Sequence, residues 1–177
     1  NLTSATIYNL DALTNLNLSG CTSLTSLSCE NNDALTSLNA SGCVALTTLS
    51  IDTCRAMQSI NVSGLKNLNS ATINNLDALT NVNLTGCSAL TTLTCTGNAN
   101  LPALDCGGCT SLTSLACNRN SALASLDISD SAVLTKLTFP TTPPQNLCGF
   151  FRLFCIRYLI ILLFVLLSSL IDALISC

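Results

Sequence analysis

Apolar residues recur at every eleventh position of the chain. Twelve full units run from Thr3 to Leu134 without insertion or deletion, and position eleven of each unit is Leu or, once, Met57. Positions three and five are also apolar in every unit, when Ala and Cys are included, and positions two and four are polar in most units. This alternation with a period of two predicts a short β-strand with one buried face in every unit.

The units alternate between two types, so the structural repeat is a 22-residue coil made of two units. Glycine units, such as Thr14–Leu24, carry Gly at position seven, whereas asparagine units, such as Thr25–Leu35, often carry Asn at position eight. Ser4–Leu18 returns almost unchanged six units later as Ser70–Leu84, which indicates duplication of three coils. A recurring Gly implies either a positive φ or close approach of stacked turns. These glycines are Gly20, Gly42, Gly64, Gly86 and Gly108.

Each coil is therefore expected to hold two short strands and two turns. Stacked coils would form two parallel sheets with a dry core between them, since a single coil cannot bury its own apolar face. The fold class expected is a repeat solenoid, a leucine-rich-repeat or β-solenoid with little helix before residue 147.

The spacing of Leu, Cys and Asn resembles the conserved segment of leucine-rich repeats. Counted from position eleven, the units read Leu-x-x-Leu-x-Leu-x-x-Cys and Leu-x-x-Leu-x-Cys-x-x-Asn; the first pair comprises Leu13, Leu16, Leu18, Cys21, Leu24, Leu27, Cys29 and Asn32. The pattern is similar to the 21–22-residue Cys-ladder repeats of internalin-type bacterial surface proteins. This resemblance implies a cell-surface or secreted location and binding of a protein or glycan.

Nine of the twelve cysteines occupy positions five and eight of the repeats, which both point inward. We expect them to be buried and mostly reduced, because stacked side chains run parallel and so disfavour disulfide geometry. Cys106 and Cys109 form an isolated Cys-x-x-Cys, but the chain has no His to complete a zinc site. We therefore expect no metal site, no cofactor and no catalytic residue, and hence no enzyme.

Two outward surfaces are candidate binding sites, with an ordinary solvated strand face as the alternative for both. The first is a polar row on the strands of the glycine units: Asn17, Asn39, Asn61, Asn83, Asp105 and Asp127. The second is a hydroxyl-rich face on the other strands, which includes Ser26, Ser28, Thr48, Ser50, Ser70, Thr72, Thr92 and Thr94. A regular hydroxyl array also suits ice binding, although Ala116 and Lys136 interrupt it. The four Asn residues lie in Asn-x-Ser/Thr sequons, which the repeat explains better than glycosylation does.

Composition changes sharply after Leu137. We expect a solenoid over residues 1–138, an extended linker over 139–146 and a hydrophobic C-terminal segment over 147–177. The stretch from Phe150 to Ile171 is long enough for a membrane anchor if Arg152 and Arg157 extend to the interface. A lipid-anchor signal and a translated run-on without native role are the alternatives.

The expected function is a non-enzymatic binding or adhesion scaffold at the cell surface or secreted from the cell. Its partner would be a protein or glycan, with the membrane as a second contact through the C-terminal segment. Nucleic acid is not expected, because the net charge is −3 and no basic patch is visible. Ice binding, or a structural solenoid that self-assembles through its ends, are the alternative functions.

Overall fold

The computed structural model describes residues 1–138, and every regular element in this range is a β-strand. The predicted linker and the hydrophobic C-terminal segment lie outside the described residues. None of the residues described belongs to a helix long and apolar enough to cross a membrane.

Thirteen strands recur, one for each unit of the repeat and one after the last full unit. They are β1 (Ser4–Tyr8), β2 (Asn15–Asn17), β3 (Ser26–Glu30), β4 (Ser37–Asn39), β5 (Thr48–Asp52), β6 (Ser59–Asn61), β7 (Ser70–Asn74), β8 (Asn81–Asn83), β9 (Thr92–Thr96), β10 (Ala103–Asp105), β11 (Ser114–Ala116), β12 (Ser125–Asp127) and β13 (Lys136–Thr138). The strands start at position two of each unit, so the prediction of a β-solenoid with two strands per coil is confirmed.

The odd-numbered strands form one continuous parallel sheet of seven strands, in the order β1-β3-β5-β7-β9-β11-β13. Each strand pairs with the equivalent strand of the next coil. Thr48 of β5 lies opposite Ser70 of β7, and Ser70 lies opposite Thr92 of β9. Because the register never shifts, a given position of the repeat always faces the same side of the sheet.

The core lies between the sheets and contains the residues at positions three, five, eight and eleven. Leu27, Cys29 and Leu35 illustrate this, since each is essentially inaccessible to solvent. The corresponding residues of the first coil, such as Ile7 and Leu16, are only partly buried because a single neighbouring coil covers them.

Threonine at position one links successive coils through its side chain as well as its backbone. Thr47 and Thr113 each donate a hydroxyl hydrogen bond of 3.0 Å to the carbonyl at the same position of the preceding coil, and their backbone N–H groups bond the same oxygen at 2.9 Å. This doubled contact explains why Thr opens most units.

Four of the five glycines at position seven of the glycine units show what was expected of them, either a positive φ or a close approach of the stacked turns. Gly64, Gly86 and Gly108 have a positive φ. Gly42 has an ordinary φ, but a Cβ there would collide with the backbone of Ser19 in the preceding turn. Gly20 shows neither feature, because no turn lies beneath it in the described stack.

A second series of left-handed residues lies at position seven of the asparagine units and was not predicted. Asn9, Asn31, Thr53, Asn75, Gly97 and Arg119 all have φ between 52° and 71°. Asn and Gly tolerate this conformation, whereas a β-branched side chain is strained in it. Thr53 is therefore the strained member of the series.

The second sheet is interrupted, which is a difference from the two continuous sheets expected. Strands β2, β4, β6 and β8 form one part, and β10 pairs only with β12. Pro102 stands at position one immediately before β10, where most units have Thr. Proline has no N–H to donate to the preceding coil, so the ladder stops between β8 and β10.

We predict that Thr53→Asn raises the free energy of unfolding by about 1 kcal/mol, because Asn relieves the strain of a β-branched residue at positive φ. Chemical denaturation of both proteins measures the difference. Asn31→Thr is the reverse control, because Asn31 has nearly the same φ and no side-chain hydrogen bond within residues 1–138, and it should destabilise the protein by a similar amount. Equal stability of all three proteins would contradict the assignment of strain to Thr53.

Candidate functional site

The row of Asn and Asp side chains on the second sheet is in register within each of the two parts of that sheet, Asn17 to Asn83 and Asp105 to Asp127, and part of each side chain is already engaged. Asn61 Oδ1 accepts the backbone N–H of Ser63 at 3.2 Å, and Asn83 Oδ1 accepts that of Thr85 at 3.1 Å. Asp127 does the same with Ser129 at 2.9 Å, and this bond lowers the pKa of its carboxyl group. Each side chain thus closes the turn that follows its strand.

This local bond accounts for the Asn of each Asn-x-Ser/Thr sequon. The residue two positions after Asn supplies the N–H, and at Ser41 the hydroxyl also bonds Asn39 Oδ1 at 2.9 Å. The amide NH2 group of these Asn residues remains available to a ligand. In Asp105 and Asp127 the second carboxylate oxygen remains available. The row therefore has a structural role in addition to its candidate binding role.

The hydroxyl-rich face occupies the outward side of the seven-stranded sheet and forms two in-register columns. One column contains Ser4, Ser26, Thr48, Ser70, Thr92, Ser114 and Lys136, and the other contains Thr6, Ser28, Ser50, Thr72, Thr94, Ala116 and Thr138. Neighbours within a column are about 4.8 Å apart, and the columns are separated by about 6.6 Å along each strand.

Most hydroxyls of this face make no hydrogen bond within residues 1–138. Thr48, Ser50 and Thr72 are examples, and they are partly or fully exposed. Ser28 differs, since its hydroxyl bonds Glu30 Oε1 at 3.0 Å. The face therefore presents a regular array of donors and acceptors to solvent, whereas the row on the second sheet presents only the groups that its turn bonds leave over.

A third column flanks this array and was not singled out from the sequence. It lies at position six of the longer strands and contains Tyr8, Glu30, Asp52, Asn74 and Thr96. Thr96 Oγ1 bonds Asn74 Oδ1 at 2.9 Å. Alternation along the strands was the available signal, because a strand that spans positions two to six places positions two, four and six on one side.

Asparagines at position eight of the asparagine units are buried and hold the turns together. Asn98 Oδ1 accepts the N–H of Leu76 at 3.1 Å, and its Nδ2 group donates to the carbonyl of Ile73 at 2.9 Å. Asn98 N–H in turn donates to Asn120 Oδ1 at 2.8 Å. These bonds give the position-eight asparagines a structural role.

Eight of the nine repeat cysteines are buried, as predicted, and Cys21 in the first coil is partly exposed. All nine are free thiols. Burial raises the pKa of Cys95 to about 12 and that of Cys117 to about 11, so these thiols stay protonated at neutral pH. A protonated, inaccessible thiol is a poor nucleophile and a poor metal ligand.

Cys54 is an exception that the sequence pattern did not reveal. It occupies position eight, where Asn32 and Asn98 stand in other coils, and it lies against Cys29. A hydrogen bond with the Cys29 thiol, together with the Asn32 N–H, lowers the pKa of Cys54, while the same pairing and burial raise the pKa of Cys29. Both thiols are fully buried, so no reagent in solvent reaches them.

Residues 1–138 contain no group of three or more His, Cys, Asp or Glu side chains arranged to hold a metal ion. Cys106 and Cys109, the Cys-x-x-Cys pair, are both buried in the core. No family model, no curated protein and no solved structure matches the chain.

We predict that Asn98→Ala lowers the free energy of unfolding by roughly 2–5 kcal/mol, because it leaves the buried N–H of Leu76 without its partner and removes the amide bond to the carbonyl of Ile73. Chemical denaturation gives the value. Asn83→Ala is the matched control, since that exposed Asn supports a single turn bond, and its cost should be about 1 kcal/mol. Equal costs for the two substitutions would show that the buried ladder is not a special source of stability.

Proposed function

We propose that this protein is a non-enzymatic leucine-rich-repeat scaffold that binds a protein or glycan through the hydroxyl-rich face of its seven-stranded sheet. The observation that carries the proposal is the in-register array of exposed hydroxyls, most of which, such as those of Thr48, Ser50 and Thr72, make no hydrogen bond within residues 1–138. The repeat spacing supports family membership, and the family resemblance together with the hydrophobic C-terminal segment supports display at the cell surface or secretion.

The geometry of the face supports an extended partner. Outward side chains in the two hydroxyl columns are short, and the strands keep a constant register across the whole seven-stranded sheet. Such a surface offers many similar hydrogen-bonding groups. A glycan or a polar protein surface presents matching hydroxyl and amide groups, so either can bridge several coils at once.

The composition of the face indicates how affinity would be distributed. Trp is absent from the chain, and the exposed residues Leu10 and Val44 lie between strands, whereas the exposed Tyr8 ends β1 beside the hydroxyl columns rather than within them. Binding hot spots are usually Trp, Tyr or Arg. Affinity would therefore come from many weak contacts, and no single side chain of the face would dominate.

We predict that Thr72→Lys alone reduces apparent affinity less than about tenfold, whereas Thr48→Lys, Thr72→Lys and Thr94→Lys together reduce it at least about a hundredfold, because each Lys blocks contacts over one coil only. The fluorescently labelled full chain would be tested on arrays of glycans and extracellular protein domains and on intact cells.

The matched control is a triple variant on the opposite sheet, Ser37→Lys, Ser59→Lys and Ser125→Lys, which adds the same charge. Its binding should equal that of the wild type. Equal loss in both triple variants, or complete loss from one substitution, would contradict binding through the hydroxyl-rich face.

Ice binding is a second candidate function, and the fixed register of the hydroxyl columns favours it. Thr48-x-Ser50, Ser70-x-Thr72 and Thr92-x-Thr94 lie side by side on adjacent strands, so their hydroxyls repeat at constant intervals in two directions. Such a lattice can order water in register with an ice surface. Ala116 and Lys136 limit the array at one end.

If this candidate is correct, the purified chain should shape ice crystals and show thermal hysteresis, and Thr92→Lys should abolish both by disrupting the lattice. Asn61→Lys, on the second sheet, should leave both unchanged. Unshaped crystals at high protein concentration would remove ice binding and leave the scaffold proposal intact.

A further inference from the structure

The interruption of the second sheet divides the solenoid at a single step between neighbouring coils. At every other described step, the residue at position one of the glycine units donates its N–H to the same position of the preceding coil. Thr80 bonds Gln58 at 3.0 Å and Ala124 bonds Pro102 at 2.9 Å. Pro102 has no N–H, so the carbonyl of Thr80 receives no such bond.

The far end of the same strands lacks its bond at the same step. Val62 N–H donates to the carbonyl of Asn83 at 3.1 Å, and Cys106 N–H donates to that of Asp127 at 2.9 Å. The equivalent bond from Leu84 to Asp105 is missing among the backbone bonds of residues 1–138. The backbone hydrogen bonds that would join β8 to β10 are therefore absent at both ends of the strands.

A cleft of about 400 Å³ opens between the two strands, and Thr80, Asn81, Asn83, Thr85 and Asp105 contribute polar groups to its walls. Val82 lies at its floor. This residue is 7% exposed, whereas Ile60 at the same position of the previous coil is 1% exposed. Val82 is thus slightly more exposed at this step, while Leu104 across the cleft is 1% exposed.

On the opposite side the same step is fully bonded. Strand β9 pairs with β11, and Thr113 N–H donates to the carbonyl of Thr91 at 2.9 Å. The turn beside the cleft also remains packed, since Cys109 Sγ lies 3.8 Å from the carbonyl of Leu84 and the backbones of Gly86 and Gly108 approach closely.

We propose that Pro102 makes the β8–β10 step a built-in flexion point, at which the second sheet opens while the β9–β11 pair acts as the hinge. When the second sheet opens, the solenoid bends so that the outer face of the seven-stranded sheet lies on the inside of the bend and becomes concave. The solenoid then consists of two rigid blocks, before and after this step. This conformational property is independent of the proposed binding function.

Hydrogen exchange of the full chain, measured by mass spectrometry, tests the proposal with Pro102→Thr. Thr restores the N–H and supplies the hydroxyl found at this position in other coils. In the wild type, peptides covering residues 81–85 should exchange at least about tenfold faster than those covering 59–63, and Pro102→Thr should slow the exchange of 81–85 by a similar factor.

Ala124→Thr is the matched control, because it adds the same side chain at a step that is already bonded, and it should leave the exchange of 81–85 unchanged. Equal protection of the two segments in the wild type would overturn the proposal. It would also be overturned if Pro102→Thr folded normally, as judged by circular dichroism, and left the exchange of residues 81–85 as fast as before.

Discussion

Backbone hydrogen bonds between equivalent residues of adjacent coils hold each coil on the next, and they require all coils to have the same length. An insertion of one residue would move the inward positions of that coil to the solvent side. Leu27, Leu49 and Leu93 pack in one line only because no such shift occurs anywhere in the stack. The constant register therefore creates both the core and the columns on the outer surfaces.

The strands and the core could be predicted because each feature recurs twelve times. A single segment such as Ser37–Asn39 is too short to identify as a strand by itself. Repetition replaces length as the signal: the same alternation of polar and apolar residues appears in every unit. Burial of Leu35 and Cys29 follows from their positions alone, without regard to their neighbours.

Features that depend on backbone angles or on a missing donor were harder to predict. Thr53 and Arg119 share the left-handed conformation of Asn31, yet neither residue type indicates it. Pro102 did carry a readable signal, since a proline at the start of a strand cannot complete a ladder on that side. The Asn-x-Ser/Thr spacing likewise indicated a turn bond, which leaves only part of Asn61 for a ligand.

Position eight shows how much chemical variation the stack allows inside. The Asn98 side chain makes three hydrogen bonds there, Leu76 fills the position with apolar volume, and Cys54 fills it with a thiol that accepts the Asn32 N–H. Asn98 and Cys54 each accept the N–H of the equivalent residue of the preceding coil, whereas Leu76 has no acceptor, and the strand register is the same in all three coils. Outward positions face no such requirement, because water satisfies whatever the side chain leaves open. Selection for a partner can therefore act on the columns of the seven-stranded face one residue at a time, without disturbing the ladder beneath them.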